Sequence, residues 1–497
     1  MKYFRLAIIF FISIPLLSGC KDFLDIRQEA TVPSSGMDYT KSENIFLPVS
    51  NAYAKMRSNS SHAFPYIGAF EITSDNADKG STPEDNPTMI QLDNFTYDAA
   101  NTLINELWQG YFDIVSAANN ALYQMPLFEE AMQSDDNKKY TRECAAEAKV
   151  IRAYSYFNLT RLFGRVPIIQ TLMTAEELAS LHQANTGDLY TFILNDLNEA
   201  IPLLPDSYSK DWAGRINKYT AMAIKAKVQL YRSEWESVAD LCDQIMASGK
   251  YNLMSSFREV FSIEGKNCRE SLFEIQSSTL GRSTGEAAYI EYAFVQGPRG
   301  NTPGNMQGWG FCTPSANLIQ FFDDRGETVR AATTFLYRGT LTPEGDSIRK
   351  ICTNPVYNGK VYTPSAYNKW SYNGYGFDQN VRILRYSDVL LMFAEAKLNG
   401  AASGNTSGYT ALSAVNEVRD RVKLPLLPDV TMQDVWDERR AELALEEDRF
   451  FDLIRTGQAV AALGAKGFNA DKHKVFPVPA TQMKLNSNLE QNPGYTN

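Results

Sequence analysis

Residues 219–249 read YTAMAIKAKVQLYRSEWESVADLCDQIMASG, and this stretch decides the fold. In its second half Trp235, Val238, Ala239, Cys242, Ile245 and Met246 recur at i, i+3, i+4, i+7, i+10 and i+11, on one face of a helix. Gly249 stands where a helix end favours a residue that tolerates left-handed backbone. The first half carries Ala221, Ala223, Ala226 and Leu230. Small side chains at those positions let a neighbouring helix come close, so the stretch predicts a packed helix pair.

A two-helix unit of about 34 residues with small residues at its crossing is the tetratricopeptide pattern. Weaker versions recur at 139–163 with 186–203, and at 384–399 with 408–422. The expected fold is therefore mainly α, with tetratricopeptide-like helix pairs forming a scaffold over residues 46–250 and 384–497. Between 251 and 383 the helical period vanishes. Gly297, Gly300, Gly304, Gly308 and Gly310 punctuate a stretch that also holds Tyr289, Tyr292, Phe294, Trp309 and Phe311. Further on, Tyr357, Tyr362, Tyr367, Trp370, Tyr372, Tyr375 and Phe377 crowd together with Asn358, Asn368 and Asn373. Long irregular segments inside a compact body are usually functional, so 251–383 is expected to be a loop-rich ligand-binding region. Tyr, Trp, Asn and Gly supply flat rings for stacking and amides for hydrogen bonds at low ordering cost. Sugars use both, because their C–H faces lie on rings and their hydroxyls seek amides or carboxylates. Most of these rings are expected to fill local core, and only a few to touch ligand.

The N-terminus carries a second clear signal. Lys2 and Arg5 precede the apolar run Leu6–Ile12, and Leu17-Ser18-Gly19 leads into Cys20. A basic start, a short apolar run and small residues before the cut make residues 1–19 an export signal, too short to span a bilayer. A cysteine directly after Leu-Ser-Gly makes it a lipoprotein signal, with Cys20 diacylated and exposed as the new N-terminus. Two acyl chains anchor stably where one does not. Residues 20–45 are polar and contain Pro33, Ser34, Ser35 and Gly36, and are read as a lipidated tether.

Composition narrows the function classes. The chain has 497 residues, 44% hydrophobic and 21% charged, with net charge −10. Loss of Lys2 and Arg5 with the leader takes that charge to −12, which argues against nucleic acid or anionic lipid as a charge-attracted partner. Besides Cys20 the cysteines are Cys144, Cys242, Cys268, Cys312 and Cys352, odd in number and widely spaced, which predicts buried free thiols and neither a disulfide framework nor a zinc site. With only His62, His182 and His473 available, catalytic triads and metal centres are poorly supplied, and no cofactor is expected. Gly281-Arg282-Ser283-Thr284-Gly285 formally fits G-x-S-x-G, but Gln276-Ser277-Ser278-Thr279 intervenes where an apolar strand should run straight into the elbow. Asp75, Asn76 and Asp78 before Gly80 offer oxygens for calcium but match no EF-hand ladder, and an Asx-type turn or ligand contacts explain them as well.

The chain resembles the SusD/RagB family of nutrient-capture lipoproteins of Gram-negative outer membranes. The likeness begins with Cys20-Lys21-Asp22-Phe23-Leu24-Asp25 and continues through Glu71–Ala77. It runs on from Trp108 and Tyr111 to Ala118-Asn119, then through Arg152-Ala153 and Tyr156–Leu159 to Phe163–Pro167. Residues 385–396, RYSDVLLMFAEA, and 438–457, ERRAELALEEDRFFDLIRTG, are close to the family wording, and Pro477-Val478-Pro479 with Gln491–Tyr495 completes it. One departure is Glu447, where the family usually has Gly after the acidic residue at 446. The sequence leaves two outcomes there. On a straight helix Glu447 is buried and needs an arginine partner such as Arg440; if the helix breaks, it is exposed. Arg439, Arg440, Arg449 and Arg455 are all arginine, with no lysine between residues 436 and 455, as bidentate structural pairing prefers.

The resemblance implies a surface-exposed lipoprotein that captures oligosaccharide or polysaccharide without cleaving it. It further implies delivery to a SusC-like TonB-dependent outer-membrane transporter, the protein acting as its lid. Capture of peptide, as in RagB-like members, is the alternative; a surface glycan hydrolase is a remoter one. The family lacks fixed ligand residues. From the residue types we nominate Asp75 and Asn76 as hydroxyl partners and Tyr289, Tyr292 and Trp309 as stacking surfaces. If Cys20 carries the anchor, Cys20→Ser abolishes incorporation of radiolabelled palmitate and moves the chain out of the membrane fraction. Unchanged labelling removes the lipoprotein assignment.

Overall fold

The computed structural model describes residues 36–278, 288–301, 305–367 and 377–496. The leader, Cys20, Gly281–Gly285 and the rings of Trp370, Tyr372 and Tyr375 lie outside these residues. Helix α1 spans Leu47–Met56, α2 Thr102–Ala131, α3 Asp135–Phe163, α4 Thr186–Ala200, α5 Lys218–Tyr231 and α6 Trp235–Ala247. A short α7, Tyr292–Gln296, falls in the irregular region. Then come α8 Tyr386–Leu398, α9 Ala411–Arg421, α10 Met432–Glu442 and α11 Arg449–Arg455. Local chemistry sets the ends. The Asn101 side chain accepts from the amides of Leu103 and Ile104, at 3.0 and 3.3 Å, and starts α2. Gly164, at φ +71°, stops α3.

The pair read from residues 219–249 is present as α5 and α6. Val238, Ala239, Cys242, Ile245 and Met246 are buried, Trp235 is half-buried, and Ala221, Ala223, Ala226 and Leu230 of α5 are buried. Successive helices stack, α2 on α3, α3 on α4, α4 on α5 and α5 on α6, and the stack resumes with α8 against α6 and α9 against α8. The repeat is thus continuous in space although residues 248–385 are inserted into it. Where α3 crosses α4, Arg152 grips Asp196 with both Nε and Nη2 at 2.8 Å, inside the stack.

The inserted region is less bare than its sequence suggests. Among the described residues it contributes to three two-stranded antiparallel ladders: β1 (Ala77–Gly80) with β3 (Phe311–Pro314), β2 (Ser271–Ile275) with β6 (Val381–Arg385), and β4 (Phe335–Tyr337) with β5 (Val356–Asn358). The first ladder ties the N-terminal helical part to the insert, Ala77 facing Pro314 and Gly80 facing Phe311. In the second, β6 runs directly into α8. One hydrophobic core passes through all three segments of the chain. Cys144, Cys242, Cys312 and Cys352 are buried free thiols, and Cys268 is a half-buried one, as their spacing implied.

A lattice of buried ion pairs fixes the C-terminal block to the stack. Arg385 Nη1 lies 2.5 Å from Glu270 and 2.8 Å from Glu442, and its Nε lies 2.7 Å from Glu446. Arg421 reaches Glu270 at 2.9 Å and also Glu442, while Arg330 meets Glu442 at 3.0 Å, Glu327 at 2.8 Å, and Glu438. A second knot joins Arg439 and Lys227 to Asp388, Arg161 and Lys227 to Asp448, and Arg455 to Glu395 and Asp452. The four arginines of the 436–455 block all make charged contacts, Arg440 and Arg449 with Asp75. Three cations hold the Glu442 carboxyl well below the usual range against the opposing effect of burial.

Glu447 follows neither outcome left by the sequence. The helix does break between α10 and α11, and Glu447 takes a left-handed φ of +63°, the conformation glycine adopts most easily. Yet the residue is buried, and its partner is the Tyr292 hydroxyl, not an arginine. Replacing Arg385 by Leu takes one cation from each of Glu270, Glu442 and Glu446 in the core, and unfolding should become easier by about 3–5 kcal/mol. Breaking the exposed Arg165–Glu490 pair with Arg165→Ala should cost under about 1 kcal/mol. Thermal and urea melts check both; equal effects would mean the lattice is no more than surface pairing.

Candidate ligand-binding face

Trp309 is set between two glycines that the geometry requires. A Cβ on Gly308 would lie 2.1 Å from the Phe294 carbonyl oxygen, and Gly310 has φ +75°. That close approach lets the Trp309 amide donate to the Phe294 carbonyl at 3.1 Å, so the segment before β3 is laced to α7. The indole is half-buried and meets Phe64 and Phe294 edge-on, with centroids 5.7 and 5.5 Å away. Phe311 packs edge-on against Phe64 at 5.0 Å, and Phe377 tilts against Phe294 at 6.1 Å. A ring on such a bed has little freedom left to lose when ligand arrives.

Tyr289 is half-buried near the same bed. Its neighbours Ala288 and Ile290 are bridged to Ser278 and Phe377, which fixes the backbone on both sides. The Ser277 hydroxyl accepts from the Ile290 amide at 3.2 Å and donates to the Phe377 carbonyl at 2.7 Å. Asn59, in a one-turn helix Asn59–His62, accepts from the Glu291 amide at 3.2 Å and closes the edge of this face. Phe64 and Asn59 were not singled out by sequence. Their only signal was position, a few residues before the Glu71–Ala77 segment.

Tyr292 lies below the face, 4% exposed, and its hydroxyl donates to Glu447 Oε1 at 2.6 Å. Asp75 and Asn76 are not beside Trp309; both are buried and engaged within the fold. Arg449 holds Asp75 with Nε and Nη2 at 2.7 and 3.0 Å, and Arg440 Nη2 adds a contact at 3.1 Å. Burial favours the neutral acid, but the two guanidiniums prevail and the Asp75 carboxyl sits below its ordinary range. Asn76 Oδ1 accepts from Arg440 Nε at 2.9 Å. The backbone oxygens of the turn are taken as well. The Lys466 ammonium donates to the carbonyls of Ile72, Ser74 and Ala77, each at 3.0 Å, and lies 2.6 Å from Asp93 Oδ1. An ammonium thus sits among the carbonyls of the turn that carries Asp75 and Asn76. Among the second group of rings, Tyr357, Tyr362 and Phe377 are core and Tyr367 is exposed.

Beneath Tyr292 two acids share one buried space. The Glu447 amide donates to Glu71 Oε2 at 2.8 Å, and Glu71 Oε1 and Glu447 Oε2 have no hydrogen-bond partner among the described residues. Burial pushes the Glu71 carboxyl up to about 7 despite that amide and Lys360. Burial, and then the Glu71 charge, lifts Glu447 well above its ordinary value.

The comparisons with known proteins fit this architecture. The SusD-family model matches residues 342–495, and a model described as starch-binding associating with outer membrane matches residues 22–230. The chain belongs to the SusD/RagB family. A SusD-like protein of Formosa agariphila is 27% identical over 527 residues, covering 100% of both chains. A SusD-like protein of Bacteroides ovatus is 25% identical over 381 residues, covering 73% of this chain and 67% of its own. Among solved structures, a laminarin-binding SusD-like protein superposes with TM-score 0.78 at 27% identity, covering 91% of this chain and 99% of its own.

The acid pair makes a pH signature. A carboxyl raised in the folded state stabilises most below its ordinary value of 4.5, and that contribution is lost as pH climbs through the folded value, about 7 for Glu71 and higher for Glu447. Glu447→Gln keeps the acceptor for Tyr292 and removes one titrating group. Its melting temperature should exceed that of the wild type at pH 8, and the difference should shrink toward pH 5. A difference constant across that range would count against the buried acid pair.

Proposed function

We propose that this protein captures glycan at the bacterial surface and hands it to a SusC-like TonB-dependent transporter without cutting it. The observation that carries the reading is Trp309, a half-buried indole braced edge-on by Phe64 and Phe294, with Tyr289 on the backbone bridged to Phe377 of the same bed. Fixed rings offer flat apolar faces to sugar C–H groups, while Asn59 and Glu291 bring hydrogen-bonding groups to the edge. The laminarin-binding relative of the same fold supports glycan as the ligand class. Tyr292, Asp75 and Asn76 act from beneath: they hold the bed and the 440–449 segment in register. In this reading Cys20 supplies the acyl anchor at the outer membrane, and the helix stack supplies a rigid surface for the transporter. The absence of cleavage belongs to the same proposal.

Isothermal titration of the soluble chain, begun after Cys20, against laminarin tests the capture site. Trp309→Ala should weaken binding at least about tenfold, equivalent to about 1.4 kcal/mol. An unchanged affinity removes Trp309 from the site, and shortened products on thin-layer chromatography would replace capture by hydrolysis.

A further inference from the structure

A second aromatic group faces solvent far along the chain from Trp309. Trp212 is 45% exposed in a polar stretch, Lys210-Asp211-Trp212-Ala213-Gly214. It is nevertheless held firmly. Phe46 meets its ring edge-on at 5.2 Å, and the Arg215 guanidinium lies over it at 5.1 Å. Arg215 is fixed in turn by the rings of Phe46 and Tyr208, each 4.3 Å away, and by the buried Glu147, which it engages through Nε at 3.1 Å. Gly214, at φ +90°, presses against Gln276, where a Cβ would lie 2.4 Å from the amide carbon. The loop is pinned to the end of β2.

Trp212 overlooks a groove of about 510 Å³ that runs between α1 and β2. Phe46, Ser50, Ala54 and Arg57 recur at i, i+4, i+8 and i+11, so they form one stripe along α1. Ser50 and Ala54 keep the floor low between the ring at one end and the guanidinium at the other. From Phe46 to Arg57 the helix rise gives a length of roughly 16 Å. Arg57 is half-buried and makes no ion pair or side-chain hydrogen bond among the described residues, so its donors are open to the groove. The far end meets the chain segments that bond to the face already described. Asn59, two residues past Arg57, binds the Glu291 amide, and Gln276 leads through Ser277 to the bridge beside Tyr289.

We propose that this groove is an extended subsite for a long glycan, with Trp212 as its distal stacking platform and Arg57 as a donor to sugar hydroxyls. The inference rests on glycan capture at Trp309 and adds chain length as what the protein selects. A chain held at Trp309 and Tyr289 continues past Arg57 along α1 and ends on Trp212. Two contact areas on one ligand make the second engagement intramolecular, so affinity rises with length without any stronger single contact.

Titration with laminaritriose and with laminarin separates the two ends. Trp212→Ala should weaken laminarin about tenfold and laminaritriose less than twofold, whereas Trp309→Ala weakens both. Because Trp212 also shields Arg215, a second variant fills the groove from its floor, and Ser50→Trp should give the same length-dependent loss with an unchanged melting temperature. If both groove variants bind laminarin as the wild type does while Trp309→Ala is impaired, the subsite falls and capture at Trp309 stands. If the wild type binds neither laminarin nor any polysaccharide on a glycan array, both readings fall together.

Discussion

The constraint on which the structure depends is charge neutralisation without water. Glu270, Glu438 and Glu442 have no exposed surface, and Arg330 and Arg385 are the largest fully buried side chains. Buried ions are costly to desolvate and survive only when each finds close opposite charges with good geometry. Together with Arg421 these residues come from β6, α9, α10 and the rest of the insert, so the lattice assembles only when all are in place. It works as a registration device, because a slip of one helical residue would leave a carboxylate or guanidinium unpaired in the core.

That register places the ligand face. α10 and α11 are joined by the loop in which Glu447 takes left-handed backbone, and the loop amide reaches Glu71. Glu71 belongs to the π-helical turn Gly68–Ile72, just ahead of the Ser74–Ala77 turn and β1. β1 pairs with β3, and β3 begins two residues after Trp309. A short covalent and hydrogen-bonded path therefore leads from the ion-pair lattice to the half-buried indole of Trp309. Recognition groups on irregular segments gain positional precision from such a base.

Much of the scaffold was legible in sequence. The 3.6-residue period of 219–249 and its small residues gave α5 and α6, and the arginine-only block at 439–455 announced dense charge pairing. The insert looks irregular in sequence because its strands are three to five residues long and pair with distant segments, which leaves almost no local period. Tyr292 shows the same limit at a site. Its residue type suited stacking, but its hydroxyl found a buried acid that lies 155 residues away. Asp75 and Asn76 suited hydroxyl recognition equally well, and two arginines from the C-terminal block claimed them instead.

By itself the sequence determined the helical repeat, the free thiols and the family wording, because each rests on neighbours within one or two turns of chain. The tertiary structure alone decided which aromatic rings face outward and which acids are paired. Exposure and ionisation depend on what packs against a side chain from remote segments, and no local pattern encodes that.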